Sequence, residues 1–417
     1  MGGAAGHIFH VWEASDLSFG DLKDIVTKSL RGELDNVTEK LDGQNILITY
    51  RNGQALAARS SKHLKEFGEE ALDIEKFREY FTSRGSNEHV INAFVGALED
   101  FQRAFETTSV DLDKIFKDGE VWMNIEILYP QTENVIHYDK SQLRIHNLRR
   151  VNISGGIEDI MDCSQLEDFI DEVDTLQKKG EIENTFLIRK NDPIIIKQLM
   201  ESNHIADELI SELDSIMSDG GVSEGDTIAD FLEHKVKKFI DNSIGESEES
   251  FKELLAKRWA KGDKHTNITT LLKGVDDTTK NWVKQTEQKI DETIEGFLSP
   301  IVVVFMKLGV TILSNLEGLA STDSYKSTKK VRDKLSRSID FIKRLMDKGD
   351  VDGIDNFNKK INDMLKHLET LDKVGGMAAV VPTEGVVFEY KGKVLKLTGA
   401  FTPILKIIGF FRFPNAK

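Results

Sequence analysis

Hydrophobic and polar positions change their period twice along this chain, and the changes divide it into three regions. Up to about residue 195 the signals are mixed. The β-branched run NILITY (45–50) is followed by the turn RNG and then by QALAAR, so Asn52-Gly53 between two apolar runs predicts a hairpin. EHVINAFVGALEDFQRAF (88–105) has helical spacing. VWMNIEILYP (121–130) reads as a strand, with Ile125, Ile127 and Tyr129 alternating against Asn124, Glu126 and Leu128; SQLRIHNLRRVNI (141–153) reads as another. Helices and strands alternate without a βαβ rhythm, which predicts an α+β domain with antiparallel sheets.

From 196 to 376 the period is helical almost throughout. DTIADFLEHKVKKFI places Ile228, Phe231, Leu232, Val236 and Phe239 on one face, with Asp226 or Thr227 as the cap. The segment 276–298 repeats the pattern with Trp282, Ile290, Ile294 and Phe297, and Pro300 is expected to open the next helix. Phe305, Leu308 and Ile312 have core spacing. Two more amphipathic segments follow, the second ending at Gly375-Gly376. Short connections predict a bundle. From 377 the β pattern returns: Val386–Tyr390, a turn at Lys391-Gly392, then Lys393–Leu397. The tail ILKIIGFFRFPNAK is expected to pack on the first region. The predicted architecture is one α+β domain (1–195 and 377–417) interrupted by an all-α insertion (196–376).

Charge and cysteine content narrow the picture. A formal net charge of −16 over 417 residues argues against a surface that coats nucleic acid broadly, though it leaves room for a local basic groove. The lysines of KVKK and KSTKKVRDK alternate with acids; a solvated helix face and an RNA-contacting stripe both fit them. The single cysteine, Cys163, excludes an intramolecular disulfide; it predicts a reducing compartment and reads as a small buried residue. The N-terminus has neither a signal-peptide pattern nor the Ser or Thr that myristoylation needs at position 6. The apolar run 301–316 contains Lys307 and falls short of the ~20 residues a membrane span requires. The expectation is a cytoplasmic protein with no membrane partner.

The candidate chemistry lies at the ends of the two hairpins. Lys40, with Asp42 and Gly43 behind it, stands at the mouth of the first; Glu384 and Gly385 open the second, and Lys396 lies on its return. Converged lysines and carboxylates suit phosphate chemistry. A lysine attacks only when neutral, so its pKa must fall from ~10.4, which a neighbouring cation or burial can bring about.

The ordered segments EKLDG, VWMNIEIL, EGVVFEY and VLKLTG resemble the motifs of the covalent nucleotidyltransferases: ATP-dependent RNA and DNA ligases and messenger-RNA capping enzymes. The opening GGAAGH together with EKLDGQN and KLTGAF is similar to ligase-like proteins of tailed bacteriophages, which would place the chain in a host cytoplasm. The resemblance covers about 1–150 and 377–410. It implies an antiparallel-sheet nucleotidyltransferase fold, ATP and Mg²⁺ as cofactors, and Lys40 as the residue that takes AMP. It implies nucleotide contacts from Asp42, Gly43 and Arg59 (with Arg51 as runner-up), Glu126 on the ribose (in preference to Glu120), Glu384 on the metal and Lys396 at the α-phosphate. The family commonly has a second lysine two residues on; here that position is Thr398, and Lys393 is the candidate to compensate. The long interval between Glu126 and Glu384 departs from the family, and the helical region fills it. The chain ends soon after Lys396, so the barrel of DNA ligases is not expected. That favours an RNA or other nucleic-acid end as the acceptor, with the insertion contacting substrate or a protein partner. His137, Tyr138 and His146 could line the pocket or be structural, and His7 and His10 lack the companion ligands of a metal site.

Overall fold

Two tight hairpins form as expected, but they belong to different sheets. The computed structural model describes residues 6–160, 164–199, 201–243, 249–260, 268, 272–321, 323–347 and 355–409; Cys163, the first five residues and the last eight lie outside them. The small sheet contains β1 (Phe9–His10), β2 (Asp35–Lys40), β11 (Gly385–Tyr390) and β12 (Lys393–Leu397) in the order β1-β12-β11-β2. The large sheet runs β4 (Gln54–Ala58), β3 (Gln44–Arg51), β5 (Val121–Leu128), β6 (Gln142–Val151), β7 (Ile157–Ile160), and β8 (Leu187–Lys190) pairs with β6. Pairing is antiparallel except for β1 with β12 and β6 with β8. Both hairpin turns use two residues of positive φ, Asn52 and Gly53 at 50° and 79°, Lys391 and Gly392 at 48° and 74°. That conformation follows the right-handed twist of the flanking strands.

One face of the large sheet is covered by α2 (Ile74–Thr82), α3 (Glu88–Thr107) and α4 (Ser164–Lys179). Phe94, Leu98, Phe101 and Phe105 of α3 and Phe169 of α4 share a core with Ile46, Ile48, Ile125 and Ile127. The alternation read along β5 holds, yet every residue of that strand is buried. Its even positions point the other way. Trp122 there packs with Leu47 and Ala58, Asn124 is hydrogen-bonded to Asn45 and Asn147, and Glu126 lies within the field of Lys40.

The helical region contains α5 (Ser202–Gly220), α6 (Ile228–Ser243), α7 (Glu249–Ala260), α8 (Asp277–Leu313), α9 (Ser324–Asp347) and α10 (Asp355–Lys373). Its main core is continuous with the small sheet. Ile301, Val304, Phe305, Leu308 and Ile312 of α8 pack with Val386, Phe388, Leu395 and Leu397, and with Leu22, Ile25 and Val26 of α1 (Phe19–Arg31). A second core, around Val236, Leu255, Val283 and Ile290, lies among α6, α7 and α8. The expected boundary at 195/196 falls inside β9 (Ile195–Ile196), which pairs with β10 (Leu316–Glu317) just beyond α8.

Two expectations need correction. Pro300 does not open a helix; it lies inside α8, which runs 37 residues through it. Proline removes one backbone donor, and the apolar residues on both sides, buried in two cores, hold the helix across that gap. The segment that seemed too short to span a membrane is thus part of a helix long and apolar enough by length and composition, with its buried face on the small sheet. Of the tail, 404–409 belong to α11 (Phe401–Gly409), which packs on α9 and α10 within a core that also holds Leu22, Leu41 and Tyr138 of the first region; 410–417 lie outside the described residues.

Glu39 marks the seam between the small sheet and the helices. It is 2% exposed; its Oε2 accepts from the Ala320 backbone N–H at 2.6 Å, and its Oε1 has no partner among the described residues. Burial pushes the carboxyl up to about 7, against the Ala320 and Thr383 hydrogen bonds and the Arg144 charge. A carboxyl raised in the folded state stabilises below its unfolded value of 4.5, and that contribution is lost as pH rises towards 7. Glu39→Gln is therefore expected to match the wild type at pH 5 and to exceed it by about 2 kcal/mol at pH 8, read as paired urea-unfolding free energies. Equal differences at both pH values would contradict the assignment.

Candidate active site

Lys40 is the last residue of β2, where the chain leaves the small sheet for the large one. Its register partner is Gly385, and its Nζ lies 3.1 Å from Glu384 Oε2 and 3.0 Å from the Leu41 carbonyl. Two segments far apart in sequence thus meet in one ion pair. Strand alternation puts Lys40, Thr38, Gly385, Val387 and Lys396 on one face. That face is opposite to the one carrying Val386, Phe388, Leu395 and Leu397 into the core.

Burial opposes the Lys40 ammonium, but the carboxylates of Glu384, Glu126 and Asp42 outweigh it and hold the amine well above its ordinary value. Burial pushes Glu384 up to about 7 even with Lys40 beside it. Lys396 is 8% exposed and makes no hydrogen bond or ion pair among the described residues. Its amine is pushed down by burial and by Lys40, against the opposing fields of Glu13 and Glu384. A buried ammonium without a counter-ion is costly, and anion-binding sites are where that cost is tolerated.

Asp42 and Gly43 sit beside Lys40 but act on the protein's own backbone. Asp42 Oδ2 accepts from the N–H groups of Val135 and Ile136 at 2.7 and 2.8 Å, and Oδ1 accepts from Asn134 at 2.9 Å. The Asp42 N–H donates to Tyr138 Oη at 2.9 Å. Burial raises this carboxyl to about 6 against those donors. Of the two roles open to Tyr138, the structural one is thus filled. At Gly43 a Cβ would stand 2.5 Å from the Ile127 carbonyl and 2.8 Å from Glu126 Cγ. The missing side chain makes room for β5, not for a ligand.

Glu126 stands opposite Asn45 and Arg144 in register and faces His146 Nε2 at 3.7 Å. It is buried, whereas Glu120 lies exposed before the strand. Arg59 is half-buried just beyond β4; its guanidinium lies 5.3 Å from the Phe94 ring centroid, within the field of Glu126. Arg51 instead holds the Asp118 and Phe67 carbonyls at the far end of β3. Lys393 is not in this constellation. Three residues before Lys396, it projects from the opposite face of β12 and pairs with Asp16 at 2.6 Å. Thr398 lies just past β12, 2% exposed, with its hydroxyl 3.5 Å from that of Thr402; a Cβ on Gly309 of α8 would stand 2.5 Å from the next residue's nitrogen, that of Gly399.

His10 joins the site without having been selected from sequence. Parallel pairing of β1 with β12 places it in register with Lys396. Its ring stacks on Trp12 at 4.2 Å, and its backbone N–H donates to Glu13 Oε2 at 2.6 Å. Nδ1 is sealed and has no partner among the described residues, which leaves Nε2 as the ring nitrogen with access to solvent. Burial, then the charges of Lys396, His7 and Lys40, push the imidazole down to about 3, so it is neutral. The tautomer protonated at Nε2 avoids a sealed donor.

Among the described residues no cluster of three or more His, Cys, Asp or Glu could cage a metal ion. Asp42 has its oxygens filled, while Glu384 has Lys40 as its hydrogen-bonding partner. This donor set fits a hard cation that keeps waters and shares phosphate oxygens with a single carboxylate. Compared with models of known protein families and with curated proteins, the chain matches none.

Proposed function

We propose that the chain is an ATP-dependent nucleotidyltransferase of the RNA-ligase type, with Lys40 as its nucleophile. The observation that carries this reading is the cationic face at the end of the small sheet. There Lys40, paired to Glu384, lies within the fields of the large-sheet carboxylate Glu126 and of the buried Lys396, which is unpaired among the described residues. The motif resemblance supplies the nucleotide and the polynucleotide acceptor.

In the resting form Lys40 is charged and paired. It attacks only as the free base, so the contact with Glu384 must open and a proton must leave to solvent. The Nζ lone pair then forms a bond to the α-phosphorus of ATP as the bond to the β-phosphate oxygen breaks, and pyrophosphate departs. A 5′-phosphate oxygen of the acceptor next displaces Lys40 from AMP, and a 3′-hydroxyl finally displaces AMP. Lys396 stabilises the charge that develops on the phosphoryl oxygens. Glu384 would hold Mg²⁺ brought in with ATP, which supplies charge neutralisation along the triphosphate. Glu126 would accept from the ribose hydroxyls. His10 donates from Nε2 to the phosphates without adding a third positive charge.

The enclosed Thr398 favours one narrower reading, a protein that binds the nucleotide or labels itself but does not complete ligation. Incubation with α-labelled ATP and Mg²⁺, followed by denaturing electrophoresis, separates the cases. An acid-labile label on the wild type supports the proposal, a sealed RNA product completes it, and no label with either ATP or GTP overturns it. His10→Phe keeps the ring on Trp12 and removes the donor. It is expected to weaken binding of an α,β-methylene ATP analogue about tenfold while leaving adenosine affinity unchanged, measured by calorimetric titration.

A further inference from the structure

The geometry points to α9 as the docking track for single-stranded RNA, carrying a 5′-phosphate to Lys40. This rests on the nucleotidyltransferase reading above. Lys326, Lys330, Lys334, Arg337, Phe341 and Arg344 recur every three or four residues and so form one stripe along the helix. The stripe is basic apart from Phe341 and contains no acid, on a chain whose net charge is −16. The opposite side of α9 buries Val331, Leu335 and Ile342, so the stripe is not a core face. Lys326, Arg337 and Arg344 are exposed, and Phe341 is 43% exposed.

What distinguishes this stripe from an ordinary solvated face is where α9 is attached. Just before the helix, the Ala320 N–H is bonded to Glu39, the residue next to Lys40. Farther along, Lys330 lies 3.0 Å from His137 Nδ1, and Lys334 pairs with Glu133 at 2.7 Å. The same loop wraps Asp42 through Asn134, Val135 and Ile136. The basic helix is thus tied to the chain on both sides of Lys40, through Glu39 on the reverse face of β2 and through the loop that holds Asp42. Phosphates along a strand match the exposed cations, and an unstacked base matches the Phe341 ring.

The test uses the full chain and a 5′-phosphorylated single-stranded RNA 20-mer, with affinity measured by fluorescence anisotropy across a salt series. The triple variant Lys326→Glu/Arg337→Glu/Arg344→Glu is expected to weaken binding roughly 10- to 100-fold at low salt and to flatten the salt slope by about 2. Phe341→Ala is expected to weaken it about fivefold or more with the slope unchanged. Lys329→Glu/Lys343→Glu, off the stripe on the same helix, is expected to stay within threefold. All three variants keep Lys40 labelling by ATP, because none touches the pocket. Wild type that does not bind, a triple variant within twofold of it, an off-stripe pair as damaging as the triple, or tighter binding to DNA of the same sequence would each overturn the assignment. Absence of Lys40 labelling in every chain would sink the nucleotidyltransferase reading instead.

Discussion

Lys40→Ala and Lys40→Arg both lose the covalent nucleotide label, by at least about 10³-fold relative to the wild type. The two substitutions fail for different reasons. Alanine removes the attacking nitrogen. Arginine keeps a cation opposite Glu384, but a guanidinium does not deprotonate in a protein and so cannot attack. Their stabilities separate them. Alanine leaves Glu384 buried without its partner, yet burial already holds that carboxyl at about 7, so it can take a proton in place of the ammonium. The expected loss is about 1–3 kcal/mol for alanine and less for arginine, read by urea unfolding. Retained labelling in either variant would remove Lys40 from the mechanism.

Asp42→Ala is expected to cost about 3 kcal/mol or more, because it strips partners from two buried backbone N–H groups and from Asn134 together. Lys40 labelling should fall as well, since the loop at 134–136 fixes the chain just past Lys40. Asp42→Asn keeps an oxygen for the two N–H groups and should recover most of the stability. Thermal unfolding alongside the labelling rate checks both. A full-strength Asp42→Ala enzyme would show that the carboxylate serves the nucleotide and not the loop.

Much of this was legible in the sequence because it is local. Asn52-Gly53 and Lys391-Gly392 specify their turns within a few residues. The helices from 202 to 373 show their apolar faces through spacing alone. The opposite orientation of Lys393 and Lys396 was also within reach, since three residues along a strand reverse the face. What the chain could not disclose locally was pairing between distant ends. The approach of His10 to Lys396 depends on β1 joining β12 in parallel, and a two-residue strand has no period to read. The role of Gly43 depends on β5 lying against it. Pro300 is a local helix-breaking signal overridden by two cores, and the apolarity of the tail says only that it is covered, not which helices cover it.

The closeness of α8 to the end of β12 bears on whether the helical region could be exchanged as a cassette. Gly309 and Gly399 touch main chain to main chain, so neither position accepts a side chain unless the other gives way. The same helix roofs Phe388, Leu395 and Leu397, the reverse side of the sheet that presents Lys40 and Lys396. Excising 196–376 would bare that surface, and grafting another protein's helices would need a groove matched to it. Variation should therefore concentrate at the far end of α8, around Val283 and Ile290, while the half beyond Pro300 is bound to the small sheet.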